Sequence, residues 1–239
     1  MTALHDTSEA STVTQALWAA LGTVRDPELD EPITDLAFVS EYTVDDSGAA
    51  RVRLRLPTYF CAPNFAYLMV ADAHDAAIGV AGIDAVDVRL EDHFASDEIN
   101  AGMAAQSGFT GTFAEQAADD DLDELRRVFH RKAHLASLDR VCRRLMADGT
   151  SVHGLAELHL SDVPESAERD GLLRRRADLG LPNDNGQPLL VDEHGTRIGP
   201  EQVTPFLRFA KTTRVSIEGN SSFCRGLLDK RYGVQRPAS

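Results

Sequence analysis

The apolar positions of the chain change period several times, and each change marks an element. Val13, Leu17, Leu21 and Val24 recur at helical spacing behind Ser11 or Thr12, either of which can cap a helix. Asp26-Pro27-Glu28 stops that helix, because the residue before proline is pushed out of the α region. Ile33, Leu36, Phe38 and Val39 form a short β-prone stretch, and Tyr42 to Val44 leads into the turn signal Asp45-Asp46-Ser47-Gly48. Beyond it Val52, Leu54 and Leu56 alternate with Arg51, Arg53 and Arg55, the period-two pattern of a strand with one wet face. A loop, Pro57 to Asn64, follows. Pro63 suits the first turn of a helix that continues through Phe65, Leu68, Met69, Asp72 and Ala76 to Gly79 and Gly82. Ile83, Val86, Val88 and Leu90 complete the set as a last strand. The predicted order is α-β-β-β-α-β, a small α/β sandwich with helices covering one face of the sheet.

The rest of the chain reads differently. Residues 95–120 are rich in Gly and Ala and end on Asp119-Asp120-Asp121, which predicts a linker. A long helix is expected from Asp121 to Ala147, with acids in its first turn and Arg140, Arg143 and Arg144 near its end, matching the macrodipole. Its apolar stripe shifts from Leu122, Leu125, Val128 and Phe129 to Leu138, Val141, Cys142 and Leu145, so the helix is either kinked or buried on two sides. Shorter helices are predicted near 152–160, 165–178, 200–210 and 220–231, with a small hairpin over 188–198 around His194-Gly195. The fold class is therefore α+β. A sandwich domain over 1–94 and a linker over 95–120 precede a mainly helical extension over 121–239.

Charge sharpens this division. The 239 residues carry 24 Lys+Arg against 38 Asp+Glu, a net charge of −14. Residues 1–94 hold 5 basic and 16 acidic residues, whereas 95–239 hold 19 and 22, a step that marks two surfaces with different jobs. So acidic a chain is not expected to bind nucleic acid or an anionic membrane, because polyanion binding needs a basic surface to release counterions. No apolar run is long enough to span a bilayer, and the first residues lack the basic-then-apolar pattern of a secretory signal. Three widely spaced cysteines, Cys61, Cys142 and Cys224, do not make a disulfide framework. A cytoplasmic protein is expected.

Cys61 is the most informative of the three. It sits where a loop closes a strand and opens a helix, so unpaired N–H groups and the helix dipole can stabilise a thiolate or an anionic metal–sulfur group. The surrounding negative charge pushes the other way. Cys142, on the later apolar stripe, and Cys224, beside Phe223, Leu227 and Leu228, read as core residues.

Three segments carry a resemblance: Val24-Arg25-Asp26-Pro27-Glu28-Leu29, Ile33-Thr34-Asp35-Leu36-Ala37-Phe38-Val39 and Leu56-Pro57-Thr58-Tyr59-Phe60-Cys61. Together, over about residues 12–93, they resemble the iron–sulfur cluster assembly domain of the SufT and PaaD proteins and the eukaryotic cytosolic iron–sulfur targeting factors. The resemblance implies one reactive cysteine, Cys61, as the metal or cluster contact, and a maturation role for metal–sulfur proteins. Asp26, Glu28, Asp35 and Thr58 fall on the same motif. Asp26 and Glu28 read as groups that orient the cysteine loop, as transient ligands of a hard metal, or as a helix stop with a first-turn carboxylate, and Asp35 and Thr58 either as motif positions or as turn residues. Family members usually carry Gly-Cys-Pro; here Phe60 precedes the cysteine and the proline stands one place later, at Pro63.

A conventional cluster needs about four thiolates, and this chain has three cysteines without a C-x-x-C pair. No stably bound cluster is expected in one monomer. A transient iron or iron–sulfur cluster, bridged between two copies of Cys61 in a homodimer with help from a client or a small thiol, is the arrangement left open.

His130 and His134 are four apart on the long helix, the spacing of a two-histidine metal site, but Arg131 and Lys132 between them repel a divalent ion. A solvated or interface pair is preferred. His153 and Glu157 share a face in a weaker version of the pattern, and His93, flanked by Glu91 and Asp92, is expected to be exposed. Arg126-Arg127, Arg143-Arg144 and Arg174-Arg175-Arg176 read as solvated faces, or as surfaces that meet an acidic client or the acidic first domain. No phosphate-binding G-x-x-x-x-G-K-[ST] occurs.

The favoured reading is a maturation factor, not an enzyme, that installs iron or an iron–sulfur centre in a client such as a bacterial oxygenase or its reductase. One rival is a metal-free adaptor or chaperone for the apo-client. The other is a thiol or metal enzyme pairing Cys61 with His130, His134 or His153.

Overall fold

A computed structural model describes residues 6–113 and 122–233. The acidic run Asp119-Asp120-Asp121 and the first five residues lie outside them. Contacts divide the chain into two units, residues 1–122 with 220–239, and residues 123–219.

The first unit opens with α1 (Asp6–Leu21), so Ser11 and Thr12 lie inside the helix and not at its start. Two strands follow, β1 (Val39–Val44) and β2 (Ala49–Arg55), paired antiparallel around the turn at Gly48. Gly48 has φ 77°, and a Cβ there would stand 2.9 Å from the carbonyl of Gly82, so only glycine fits. Helix α2 (Pro63–Ile78) crosses to β3 (Ala85–Glu91), which pairs parallel to β2 and completes a sheet of order β1-β2-β3. The alternation read in the sequence is the observed one: Val52 and Leu54 are buried while Arg51 is exposed.

One expected strand is missing. Ile33, Leu36 and Phe38 are buried, at 0%, 0% and 2% exposure, but on consecutive turns. Leu36 N–H donates to Pro32, Ala37 to Thr34 and Phe38 to Ile33, and Ala37 takes φ 61°, which an extended run does not allow. Their apolar pattern records burial, not a sheet. The order is accordingly α-β-β-α-β. The first helix also ends earlier than expected, at Leu21, because Val24 to Asp26 are drawn into a loop closed by a bridge between Arg25 and Pro32.

The stretch expected to be a linker is structured as far as it is described. Helices α3 (Ser96–Ala104) and α4 (Gly108–Thr112) pack so closely that a Cβ on Gly102 would overlap the Thr112 side chain, 1.9 Å from its hydroxyl. Ile99, Phe109 and Phe113 join Leu17, Val52, Leu54 and Met69 in the core of the first unit. Asn100 fixes α3 to the free edge of β3: its side chain accepts from Leu90 N–H at 2.9 Å and donates to Leu90 O at 3.0 Å, standing in for a strand. Small residues here serve close packing.

The second unit holds α5 (Leu122–Ala147, from Asp123 on), two short 3₁₀ turns (Gly154–Glu157 and Leu160–Asp162), α6 (Ala167–Asp178) and the first part of α7 (Val203–Tyr232). Its core gathers Leu138, Val141, Leu145, Leu155, Leu172, Leu189 and Leu207. Burial on α5 spreads around the helix from Ala133 to Leu145, the two-sided alternative. The 152–160 helix is replaced by the 3₁₀ turns, and the two helices expected over 200–231 are one continuous α7. The small hairpin is present, with Asp192 N–H donating to Thr196 O and Ile198 N–H to Leu190 O. Arg175 and Arg176 correct the expectation of a solvated face. They are 6% and 1% exposed, and Arg176 donates to Pro188 O at 3.0 Å.

Among the described residues no helix is long and apolar enough to cross a membrane.

Candidate functional site

Cys61 stands on the loop between β2 and α2. The helix begins at Pro63 with no side-chain cap on Ala62, so the loop is held by other bonds. Thr58 Oγ1 lies 3.3 Å from Cys61 Sγ and accepts from Phe60 N–H, also at 3.3 Å. The motif threonine thus touches the sulfur itself. From the end of the neighbouring strand β3, His93 reaches the carbonyl of Cys61. Its Nδ1 accepts from Ala95 N–H at 3.2 Å, which leaves the proton on Nε2 to donate to Cys61 O at 2.8 Å. His93 is 2% exposed, and burial pushes its pKa below the ordinary imidazole value. The sequence placed this residue in solvent because its neighbours are acidic. It is instead the neutral brace of the cysteine loop.

Behind Cys61 lies a cavity of about 190 Å³ lined by Asp26, Glu28, Cys61 and Cys224 together with Phe38, Leu56, Phe65 and Met69. Asp26 is 8% exposed. Its Oδ1 accepts from the N–H groups of Glu28 (2.8 Å) and Leu29 (2.7 Å), which builds the Asp-Pro-Glu turn. Burial outweighs these bonds and pushes its carboxyl up to about 6. Glu28, half-buried, lines the same cavity and accepts from Asn220 Nδ2 at 3.1 Å. Asp35 is exposed and does not line the cavity; its backbone oxygen accepts from Arg225 at 3.1 Å, a tethering role.

The residue that sequence reasoning missed is Cys224. Read as core, it is half-buried and faces the cavity that Cys61 lines. Its thiol is pushed up to about 11 by burial, with Asp26, Cys61 and Glu28 adding to the shift. Cys142 is the contrasting case: fully buried in the second unit, it is pushed up to about 12 by burial and is the core residue expected.

On the Cys61 loop and beside it, where Phe94 N–H donates to Tyr59 O, three aromatic rings face solvent. Tyr59, Phe60 and Phe94 are 47%, 78% and 45% exposed, and their ring centroids lie 5.1 to 6.3 Å apart. Phe60, where the family usually has glycine, turns outward.

The histidine pair belongs to the second unit. His134 is 1% exposed, its Nε2 has no hydrogen-bond partner, and burial with the nearby Arg176 pushes its pKa down to about 4. His130 is only half-buried. Among the described residues no three His, Cys, Asp or Glu side chains converge to hold a metal ion.

The first unit is thus a small three-stranded α+β domain with a half-buried cysteine on a strand-to-helix loop and a buried carboxylate lining the same cavity. Residues 14–90 match the iron–sulfur cluster assembly protein family. An uncharacterized protein of Methanocaldococcus jannaschii is 31% identical over 81 residues, a stretch covering 34% of this chain and 83% of that protein. The chain belongs to the iron–sulfur cluster assembly family through this segment, which points to a role in assembling or handling iron–sulfur clusters. Helices α3 to α7 fall outside the match.

Proposed function

We propose that this protein is a maturation factor that assists the insertion of iron or an iron–sulfur centre into a client metalloprotein, with Cys61 as the transient thiolate contact. The observation that carries this reading is the setting of Cys61. Its sulfur lies against Thr58 on a loop braced by His93, and it lines a cavity whose carboxylates, Asp26 and Glu28, favour a cation. Metal enters as cargo, so an open coordination shell suits the task better than a closed structural site. The exposed rings of Tyr59, Phe60 and Phe94 beside the thiol supply an aromatic contact for the client, since such side chains dominate interface energetics. An oxygenase or its reductase is the client class proposed, and the cytoplasm the compartment.

The aromatic rim also favours a second reading, an adaptor that holds the apo-client without touching its metal. Complementation of a deletion strain separates the two. Cys61→Ser is expected to lower the iron content and activity of the client at least tenfold under the maturation reading. Full restoration by Cys61→Ser establishes the adaptor. Phe60→Asp is expected to impair both.

A further inference from the structure

Cys224 lies far outside the family-matched segment, yet the end of α7 carries it to the same cavity as Cys61. Its placement there is fixed by several independent bonds. Asn220 Nδ2 donates to Glu28, and Ser221 and Arg225 both bind the Glu31 carboxylate. Arg231 donates to the carbonyls of Leu56 (3.1 Å) and Asp92 (2.6 Å), which flank the Cys61 loop and its His93 brace. Leu228 is fully buried in the core of this unit. These contacts set both the register and the rotation of the helix, so the half-buried position of Cys224 is determined by the fold. The cavity has two thiols and two carboxyl side chains on its wall and, among the described residues, no Lys, Arg or His. That composition repels anions and suits a thiophilic cation, whose charge stabilises thiolates that the apolar wall alone does not.

We infer that Cys61 and Cys224 are the two sulfur donors of one half-site for a single thiophilic divalent cation, ferrous iron in the working protein. The inference rests on Cys61 being the metal contact. Binding converts two thiols to two thiolates and releases two protons to solvent. Water or the client supplies the remaining ligands, and an incomplete shell lets the ion leave by ligand exchange.

The test is an anaerobic titration of the full chain with Co²⁺, followed by the sulfur-to-cobalt charge-transfer band. One Co²⁺ per chain is expected. Cys61→Ser and Cys224→Ser should each weaken binding about tenfold or more and diminish the band, while Cys142→Ser should not. If Cys224→Ser binds as the wild type does and Cys61→Ser does not, the paired half-site is wrong and Cys61 alone is the contact. If neither variant changes binding, the reading of Cys61 fails as well. A second measurement avoids substitutions altogether. Phenylarsine oxide bonds two neighbouring thiols at one arsenic with loss of water; mass spectrometry should find Cys61 and Cys224 joined, and capture of neither as a pair overturns the inference.

Discussion

Two buried carboxylates, one in each unit, are handled in opposite ways. Asp139, 3% exposed, meets Arg214 Nε at 2.5 Å, and that guanidinium, 6% exposed, also binds Glu218. Asp26, 8% exposed, receives the N–H groups of its own turn, and among the described residues no basic side chain lines its cavity. A buried charge with a built-in partner is a structural device. One left without a cation disfavours the folded state, and it makes physical sense where a cation arrives from outside. The contrast sets a carboxylate paired inside the helical unit against one in the α+β unit that stands without a cation in the cavity lined by Cys61.

Breaking the closed pair should have the largest effect. Arg214→Met leaves Asp139 buried and alone, and is expected to cost about 3–5 kcal/mol in urea unfolding, whereas the double variant with Asp139→Leu recovers most of it. Next comes the pH response of the second unit. His134 has a folded pKa depressed to about 4, so its contribution is complete above pH 6.5 and is lost as pH falls toward 4, about 3 kcal/mol in all. His134→Phe should flatten that fall. Asp26 has the opposite sign. Its folded pKa is raised to about 6, so folding is favoured as pH drops from 6 to 3.8 and disfavoured above. Asp26→Asn, which keeps the acceptor for Glu28 and Leu29, should stabilise the protein by about 3 kcal/mol at pH 7.5 and by less than about 1 kcal/mol near pH 4. The smallest effect belongs to the rim: Phe60→Asp should move stability by no more than about 0.5 kcal/mol while still impairing the client.

Much of the first unit was legible because its signals are local. The β2 alternation, the proline that starts α2 and the Cys61 loop each lie within a few residues of sequence. What escaped was tertiary. Ile33, Leu36 and Phe38 have the apolar pattern of a strand, but Ala37 turns the chain between them. Arg176 is charged on a helix, yet finds a carbonyl at Pro188 and is buried. His93 and Cys224 reach the site through partners distant in sequence, the Cys61 loop for one and Glu28 and Glu31 for the neighbours of the other. Periodicity says that a position is covered, and only the fold says by what.

The central claim is that Cys61 contacts iron. Equilibrium competition of the reduced full-length protein for Fe²⁺ against a colorimetric chelator tests it most directly. The wild type should withdraw iron from the chelator and Cys61→Ser should do so at least tenfold more weakly; equal competition by the two proteins would contradict the account.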